Sequence, residues 1–291
     1  MRVSLKSHSV LYLPPGHQPP NMIFADKHQI NVISWNVCGV TNYAKLTQLK
    51  SYISSHHPNI IFLQEAFPGR PLNPGQAPPL SGYMSYAHFV RNGLLTYIHC
   101  SLPHRLLRTS TDNNTTYQLF QVSLGSSVIQ LCNVYSAPTK LNPDILPPPT
   151  VRGIVYMGDF NSRHSDLGDI FGSYNRNGLL LRNYIHNHNL TRWDTGGATH
   201  SRGGTLDPLL SAGLIASRVK CFAVPALFSD HIALNFNYSL PANIDNNDTR
   251  IRISVPPKYC PNYISYMTSK LPSFSFLFSK PVVYRSCNRH T

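Results

Sequence analysis

Short apolar runs rich in β-branched residues recur along the middle of the chain, and this feature constrains its fold more than any other. The runs include INVISWNV, NIIFLQE and GIVYMGD, with turn-forming residues between them. Two stretches instead carry apolar residues at helical spacing, one around Leu49 and Ile53 and one around Leu180 and Tyr184. Two similar halves of strands with covering helices predict an α/β sandwich flanked by helices.

Within the first half, four runs follow one another at intervals typical of hairpins. They span residues 85–90, 93–100, 117–124 and 127–136. Such closely spaced strands predict an antiparallel meander.

The chain divides into three parts by composition. Residues 1–27 contain two Pro-Pro pairs and no apolar periodicity, which indicates a flexible lead-in. Residues 28–240 carry the strand and helix patterns and form the predicted domain. Residues 241–291 are a basic extension, for which the sequence leaves open a contact with nucleic acid or a solvated surface.

Composition excludes several classes of protein. A hydrophobic content of 42% supplies a core, which excludes a wholly disordered chain. The N-terminus lacks a signal-peptide core, and no run approaches the roughly 20 apolar residues of a membrane span. These two observations lead us to expect a soluble intracellular protein. The six cysteines form no Cys-x-x-Cys pair, so we expect reduced, structural thiols. A formal net charge of +13 favours phosphate-bearing partners.

Polar residues stand directly after several apolar runs, where α/β scaffolds present functional groups. A carboxylate in such a place is costly to bury unless it is paired, hydrogen-bonded or bound to a cation. Each residue alone has a plain alternative, because Asp and Asn are common in turns and an Asp-His pair is often a structural hydrogen bond. The set comprises Asn36, Glu65 (the single glutamate of the chain), Asp159, Asn161, Asp230 and His231.

Six short motifs that end apolar strands occur in a fixed order, and the ordered set is more specific than any one motif. They are S-W-N at 34–36, Q-E at 64–65, N-V-Y at 133–135, G-D-F-N at 158–161, T-L-D at 205–207 and S-D-H at 229–231. The segments WNVCGV, GDFNSRHSDLGD and ATHSRGGTLD extend the pattern. Over residues 28–240 the chain resembles the endonuclease/exonuclease/phosphatase superfamily of DNase I-like proteins. Within it, the chain is most similar to the endonuclease domain of non-LTR (LINE-type) retrotransposons.

The resemblance implies a fold and an activity. The fold is a four-layered α/β sandwich, in which two mainly antiparallel sheets pack face to face between flanking helices. The activity is Mg²⁺-dependent nicking of DNA, with Mn²⁺ as a substitute, by phosphodiester hydrolysis that leaves a 3′-hydroxyl. By resemblance, Glu65 is the principal metal ligand, Asp230 assists, and Asn36 orients the metal shell and the phosphate. One or two carboxylates suffice, because Mg²⁺ prefers oxygen ligands and keeps several waters.

The resemblance also implies which side chains act on the phosphate. Asp159 activates or orients the attacking water, and Asn161 positions it. His231 faces the phosphate, and Asp207 fixes the tautomer of His231 and raises its basicity. Tyr135 hydrogen-bonds the scissile phosphate.

A further group of polar and basic residues is predicted to contact the phosphate backbone of DNA. Thr199, His200 and Ser201 fall where the family places such contacts, although a loop of this composition is unremarkable by itself. Charge neutralisation by loop arginines would make binding weaken steeply with salt. These arginines are Arg163, Arg176 and Arg202.

Three positions depart from the family pattern. Cys38 stands where base-repair members have a metal-binding aspartate, which argues against an abasic-site repair enzyme. Pro208 follows Asp207 where a strand-continuing residue is usual, and proline removes a ladder donor. Ala198 replaces a usual proline.

Two other functions remain open from the sequence. One is a different phosphoesterase of the superfamily, such as a lipid or inositol phosphatase. The other is a catalytically degenerate remnant that binds nucleic acid through charge alone. For the leading hypothesis we expect DNA as the partner, a monomer with no membrane or protein partner, and a nuclear location inferred from the substrate.

Overall fold

The computed structural model describes most of the predicted domain. The described residues are 29–40, 42–68, 77–90, 92–138, 140–149, 153–169, 172–224 and 228–240. The predicted lead-in at 1–27 and the basic extension at 241–291 lie outside them.

Twelve strands and two α-helices make up the described part of the chain. The strands are, in chain order, β1 (Gln29–Asn36), β2 (Ile60–Gln64), β3 (Tyr83–His88), β4 (Leu94–His99), β5 (His104–Thr111), β6 (Thr115–Leu124), β7 (Ser127–Ser136), β8 (Ile154–Asp159), β9 (Thr191–Trp193), β10 (Leu209–Ala212), β11 (Val219–Val224) and β12 (Ala233–Ser239). The helices are α1 (Tyr43–His56) and α2 (Arg176–Asn187), and single turns of 3-10 helix lie at Pro143–Ile145, Ser165–Leu167 and Ala216–Arg218. None of the described helices is long and apolar enough to cross a bilayer.

The strands form two six-stranded sheets. The first has the order β11-β12-β1-β2-β4-β3, and the second has the order β5-β6-β7-β8-β10-β9. Each sheet has one parallel pair near its centre, β1 with β2 and β7 with β8, and its other neighbours are antiparallel. Both sheets are therefore mainly antiparallel, as predicted.

Apolar side chains fill three layers. Along β1, Val32 faces the second sheet and packs in the central layer, whereas Ile33 faces the opposite way toward α1. Leu49 and Ile53 of α1 cover the outer face of the first sheet. Leu181 and Tyr184 of α2 cover the outer face of the second sheet. The order helix, sheet, sheet, helix confirms the four-layered α/β sandwich.

The predicted four-strand meander is divided between the sheets. The chain leaves the first sheet after β4 and enters the second at β5, a strand that the sequence analysis did not predict. β5 lies at an edge and pairs only with β6 among the described strands, and most of its side chains are half-buried. An edge strand of this kind lacks the clear apolar alternation on which strand prediction depends.

Candidate active site

The candidate site lies where the two parallel strand pairs end. Asn36 is the last residue of β1, and Glu65 follows β2 directly. Asp159 is the last residue of β8 and is the register partner of Tyr135 on β7. Because parallel strands end at the same edge of a sheet, all four residues lie at corresponding edges of the two packed sheets.

Asp159 is the buried centre of the site, with an exposed fraction of 1%. The Asn36 side chain crosses the sandwich to donate from Nδ2 to Asp159 Oδ2 at 2.9 Å. Asn161 donates its backbone N–H to Oδ1 at 2.7 Å and its Nδ2 to Oδ2 at 2.9 Å. Burial, and then the nearby charge of Asp207, raise the pKa of Asp159 to about 8. A carboxyl group with such a pKa can exchange a proton near neutral pH.

Asp207 and His231 form a second buried pair. His231 Nδ1 lies 2.9 Å from Asp207 Oδ2, and its Nε2 lies 4.0 Å from Asp159 Oδ2. Burial of the ring lowers its pKa, but the charge of Asp207 and the hydrogen bond to it outweigh this effect and raise the pKa to about 9. β10 begins only at Leu209, so Pro208 lies outside the strand and does not disturb this pair.

The Glu65 side chain, which follows β2 of the first sheet, is hydrogen-bonded to Tyr135 on β7 of the second sheet. The Tyr135 hydroxyl donates to Glu65 Oε1 at 2.8 Å and accepts from Asn92 Nδ2 at 3.1 Å. Glu65 has a left-handed backbone with φ of 48°, and so do Cys38 and Asn161, with φ of 46° and 47°. Such conformations cost free energy in residues other than glycine, and they cluster at functional sites.

The donor groups at this edge fit a hard divalent cation. Glu65 and Asp230 offer carboxylates and Asn36 offers an amide oxygen, which are the ligand types that Mg²⁺ takes. Among the described residues, two groups bring three possible ligand atoms within 4.8 Å of one another. They are His200 with Asp230 and His231, and Asp159 with Asp207 and His231. Glu65 belongs to neither group, and Mg²⁺ held by one or two carboxylates keeps several water ligands.

The structure corrects one predicted DNA contact. The Thr199 side chain is fully buried and cannot reach a nucleic acid. Its hydroxyl instead donates to Asp207 Oδ2 at 2.7 Å and accepts from the backbone N–H groups of Leu206 and Asp207. Thr199 therefore positions the Asp207 carboxylate, which in turn positions the His231 ring.

The other residues predicted to contact DNA differ in their solvent exposure and in the contacts they already make. Ser201, Arg202 and Arg176 are exposed. Arg163 is turned inward: its Nη2 donates to Gly203 O at 3.2 Å, and its Nη1 lies 3.8 Å from Asp169 Oδ2. The His200 side chain is largely buried and contacts Asp230 at 3.3 Å.

Two supporting side chains were given no role from the sequence, although one of them lies in the S-D-H motif. Ser229 donates to Asn36 O at 2.6 Å and accepts from His231 N–H at 3.1 Å, which joins the first and last motifs of the site. A serine hydroxyl often accepts the backbone N–H two residues further on, so the S-D-H motif at 229–231 offered a signal for this contact. Asn92, which supports Tyr135, follows no motif and had no signal in the sequence.

Comparisons with known proteins support the fold described above. A model of the Endonuclease/Exonuclease/phosphatase family matches residues 33–231. The endonuclease domain of TRAS1, a telomere-specific non-LTR retrotransposon, superposes with a TM-score of 0.57 at 15% identity, covering 73% of this chain and 99% of that one. The AP endonuclease LMAP from Leishmania major gives 0.58 at 18% identity, covering 79% and 93%.

A bacterial structure has the same fold. The endonuclease/exonuclease/phosphatase family protein from Leptotrichia buccalis C-1013-b gives a TM-score of 0.52 at 11% identity, covering 72% of this chain and 100% of that one. No curated protein sequence matches the chain.

Proposed function

Because this chain belongs to the Endonuclease/Exonuclease/phosphatase family, we propose that it is a Mg²⁺-dependent endonuclease that nicks DNA and leaves a 3′-hydroxyl. The observation that carries the proposal is the convergence of Asn36, Asp159 and His231 from distant parts of the chain. Asn36 donates to Asp159 at 2.9 Å, and His231 Nε2 lies 4.0 Å from the same carboxylate oxygen. A base and a hydrogen-bond donor this close together can act on an attacking water and on a neighbouring phosphoryl oxygen.

Glu65, Asp230 and Asn36 would hold the cation. A bound Mg²⁺ supplies positive charge that stabilises the phosphoryl oxygens as negative charge builds on them. Tyr135 orients Glu65 through its 2.8 Å hydrogen bond, and Mn²⁺ would serve as a substitute.

The side chains of the chain itself perform the proton transfers. Asp159 in its ionised form accepts a proton from the attacking water, and its raised pKa of about 8 makes this form a stronger base than an ordinary aspartate. As the water oxygen bonds to phosphorus, the bond from phosphorus to the 3′-oxygen breaks, and that oxygen takes a proton from solvent water. The N–H groups of Asn36 and Asn161 fix the orientation of its carboxylate. Protonated His231 donates from Nε2 to a phosphoryl oxygen, while Asp207 retains the proton on Nδ1.

Two observations support DNA as the substrate. The net charge of +13 favours a polyanion. Two of the similar structures are named as endonucleases, one of them from a retrotransposon. We propose in addition that the protein acts as a monomer in the nucleus.

A plasmid assay tests the proposal. We expect the protein to convert supercoiled plasmid to the nicked form in Mg²⁺ and not in chelator, and a Glu65→Gln variant to lose this activity. Asp166→Asn is the matched control, because Asp166 is an exposed carboxylate paired with Arg182. A DNA polymerase should extend the nicked product without prior phosphatase treatment, because extension requires a 3′-hydroxyl.

Other results would favour the other functions. Plasmid left intact while a small phosphate ester is hydrolysed would indicate a phosphatase. Salt-sensitive binding of DNA with no cleavage in Mg²⁺ or Mn²⁺ would indicate a remnant that has lost its chemistry.

A further inference from the structure

We propose that His200 is a positioning residue that holds the Asp230 carboxylate ready for the metal, and that it does not contact DNA. This inference rests on the proposed function in one respect, since it takes Asp230 as a metal ligand. It replaces the DNA contact that the sequence predicted for His200.

Asp230 needs such support because its side chain is 47% exposed. An exposed aspartate samples several rotamers, and fixing one of them in advance lowers the free-energy cost of binding a cation. Both of its oxygens have partners. The Cys38 thiol donates to Oδ1 at 3.3 Å, and His200 Nε2 lies 3.3 Å from Oδ2.

The hydrogen bonds of the His200 ring determine its tautomer. The backbone N–H of Arg202 donates to Nδ1 at 3.1 Å, so Nδ1 carries no proton in this arrangement. The proton of the neutral ring is therefore on Nε2, which donates it to Asp230. The ring acts as a link between a backbone amide and the carboxylate.

The loop that carries His200 is fixed to the site. His200 forms an isolated β-bridge with His231, and their rings meet edge to face with centroids 4.9 Å apart. Ser201 N–H donates to Asp230 O at 2.7 Å, and Gly203 N–H donates to His200 O at 2.9 Å. The His200 side chain has an exposed fraction of only 11%, which leaves little surface for a nucleic acid.

Direct metal binding tests the inference without turnover. The probe is Mn²⁺, and the loss of the electron paramagnetic resonance signal of free Mn²⁺ reports its binding. We expect His200→Leu to weaken Mn²⁺ binding about 10- to 100-fold, the usual effect of removing a group that supports a metal ligand. His200→Gln, whose side-chain amide offers an N–H donor, should recover most of the affinity.

A double-mutant cycle separates positioning from a general structural effect. In an Asp230→Asn background, His200→Leu should cause little further loss of Mn²⁺ affinity, because the carboxylate that it holds is gone. Equal losses in both backgrounds would overturn the proposal. So would a His200→Leu variant that binds Mn²⁺ normally but binds DNA more weakly, since that result would restore the DNA contact.

The outcomes also separate this inference from the proposed function. Mn²⁺ binding that depends on His200, in a protein that nicks no DNA, would support the positioning role and reject the endonuclease. Nicking by the wild type, with Mn²⁺ affinity unaffected by His200→Leu, would support the endonuclease and reject the positioning role of His200. Thermal unfolding of each variant verifies that it is folded.

Discussion

Asp207 illustrates how a single residue can act without touching the substrate. Its carboxylate binds His231 Nδ1 at 2.9 Å and receives the Thr199 hydroxyl at 2.7 Å, so it lies behind the imidazole. It holds the proton on Nδ1 of His231 and leaves Nε2 facing Asp159, as the proposed mechanism requires.

We expect Asp207→Asn to reduce the nicking rate by roughly 10- to 100-fold, because the amide supports the wrong tautomer and lacks the negative charge that keeps His231 protonated. The initial rate of plasmid nicking measures this. The matched control is Asp144→Asn, which alters a carboxylate in the 3-10 turn at Pro143–Ile145. A normal rate in a folded Asp207→Asn protein would contradict the role given to Asp207.

Two arginines of the candidate site should behave differently. Arg202 is exposed, whereas Arg163 contacts Gly203 O and Asp169. Arg202→Ala should therefore reduce the slope of log K against log salt for DNA binding by about 0.9, the value for one phosphate contact, with little change in stability.

Arg163→Ala should instead lower the melting temperature, because it removes contacts between the loop after β8 and the loop at 199–205. Fluorescence anisotropy at several salt concentrations and thermal unfolding give the two readouts. Identical effects of the two substitutions on both readouts would refute the distinction.

At the scale of secondary structure, the inner face of each sheet changes from apolar to polar along its strands. On β1, Val32 packs in the central core. Asn36 lies four residues further along the same face of the strand, and its side chain donates a hydrogen bond to Asp159. On β2, Phe62 lies in the core, and the next inward residue, Gln64, donates to Asn133 of the opposite sheet at 2.7 Å. Buried polar groups require partners, and these come from the facing sheet.

The start of α2 is hydrogen-bonded to the loops that follow β7 and β8 at the candidate site. Asn177 is buried and donates to Phe160 O at 2.9 Å and to Ala137 O at 3.1 Å. Asn175 caps the helix at Gly178 N–H and donates to Asn161 O at 2.8 Å. The helix thereby positions the segment that follows Asp159.

Gly178→Ala should destabilise the protein, although alanine is the better helix former by about 1 kcal/mol. A Cβ at this position would lie 1.9 Å from Arg163 O, so the helix must move away from the loop. We expect a loss of about 1–3 kcal/mol in the free energy of unfolding, the usual cost of overpacking. Urea denaturation measures it. Asn183→Ala, on the exposed side of the same helix, should change little; a stabilised Gly178→Ala protein would contradict the expectation.

Patterns in the sequence predicted the elements that carry strong apolar runs or apolar residues at helical spacing. β1, β2, β7 and β8 have strong apolar runs, and α1 and α2 have helical spacing that buries Leu49 and Leu181, so these elements were predicted. β5 and the three-residue β9 lie at sheet edges, where weak alternation gives little signal. The site residues were predicted through ordered motifs, but the burial of Thr199 and the inward turn of Arg163 depend on tertiary contacts that no local pattern encodes.

At the scale of the whole molecule, stability should depend on pH through two histidines in opposite directions. Burial lowers the pKa of His88, so the unfolded chain binds more protons below the ordinary value of 6.5, and the contribution of His88 is lost as pH falls. The pKa of His231 is raised to about 9, so its contribution is present below 6.5 and is lost as pH rises through 9.

Denaturation in chelator tests this dependence. Relative to a His88→Gln variant, the wild type should lose stability as pH is lowered from about 7 to about 5. Relative to a His231→Gln variant, it should lose stability as pH is raised from about 6.5 to about 9. Differences that stay constant with pH, or that change in the same direction, would rule out the expectation.

The first sheet joins the beginning of the domain to its end, and this affects how the protein is made. β1, the first described strand, pairs on one side with β12, the last, and His231 lies two residues before the start of β12. A nascent chain on the ribosome therefore lacks the His231 imidazole until residue 231 has been added, and it lacks the complete β12 until translation has passed residue 239. Since no shorter product of synthesis contains both ends of this sheet, we expect the candidate site to assemble only after β12 has been made.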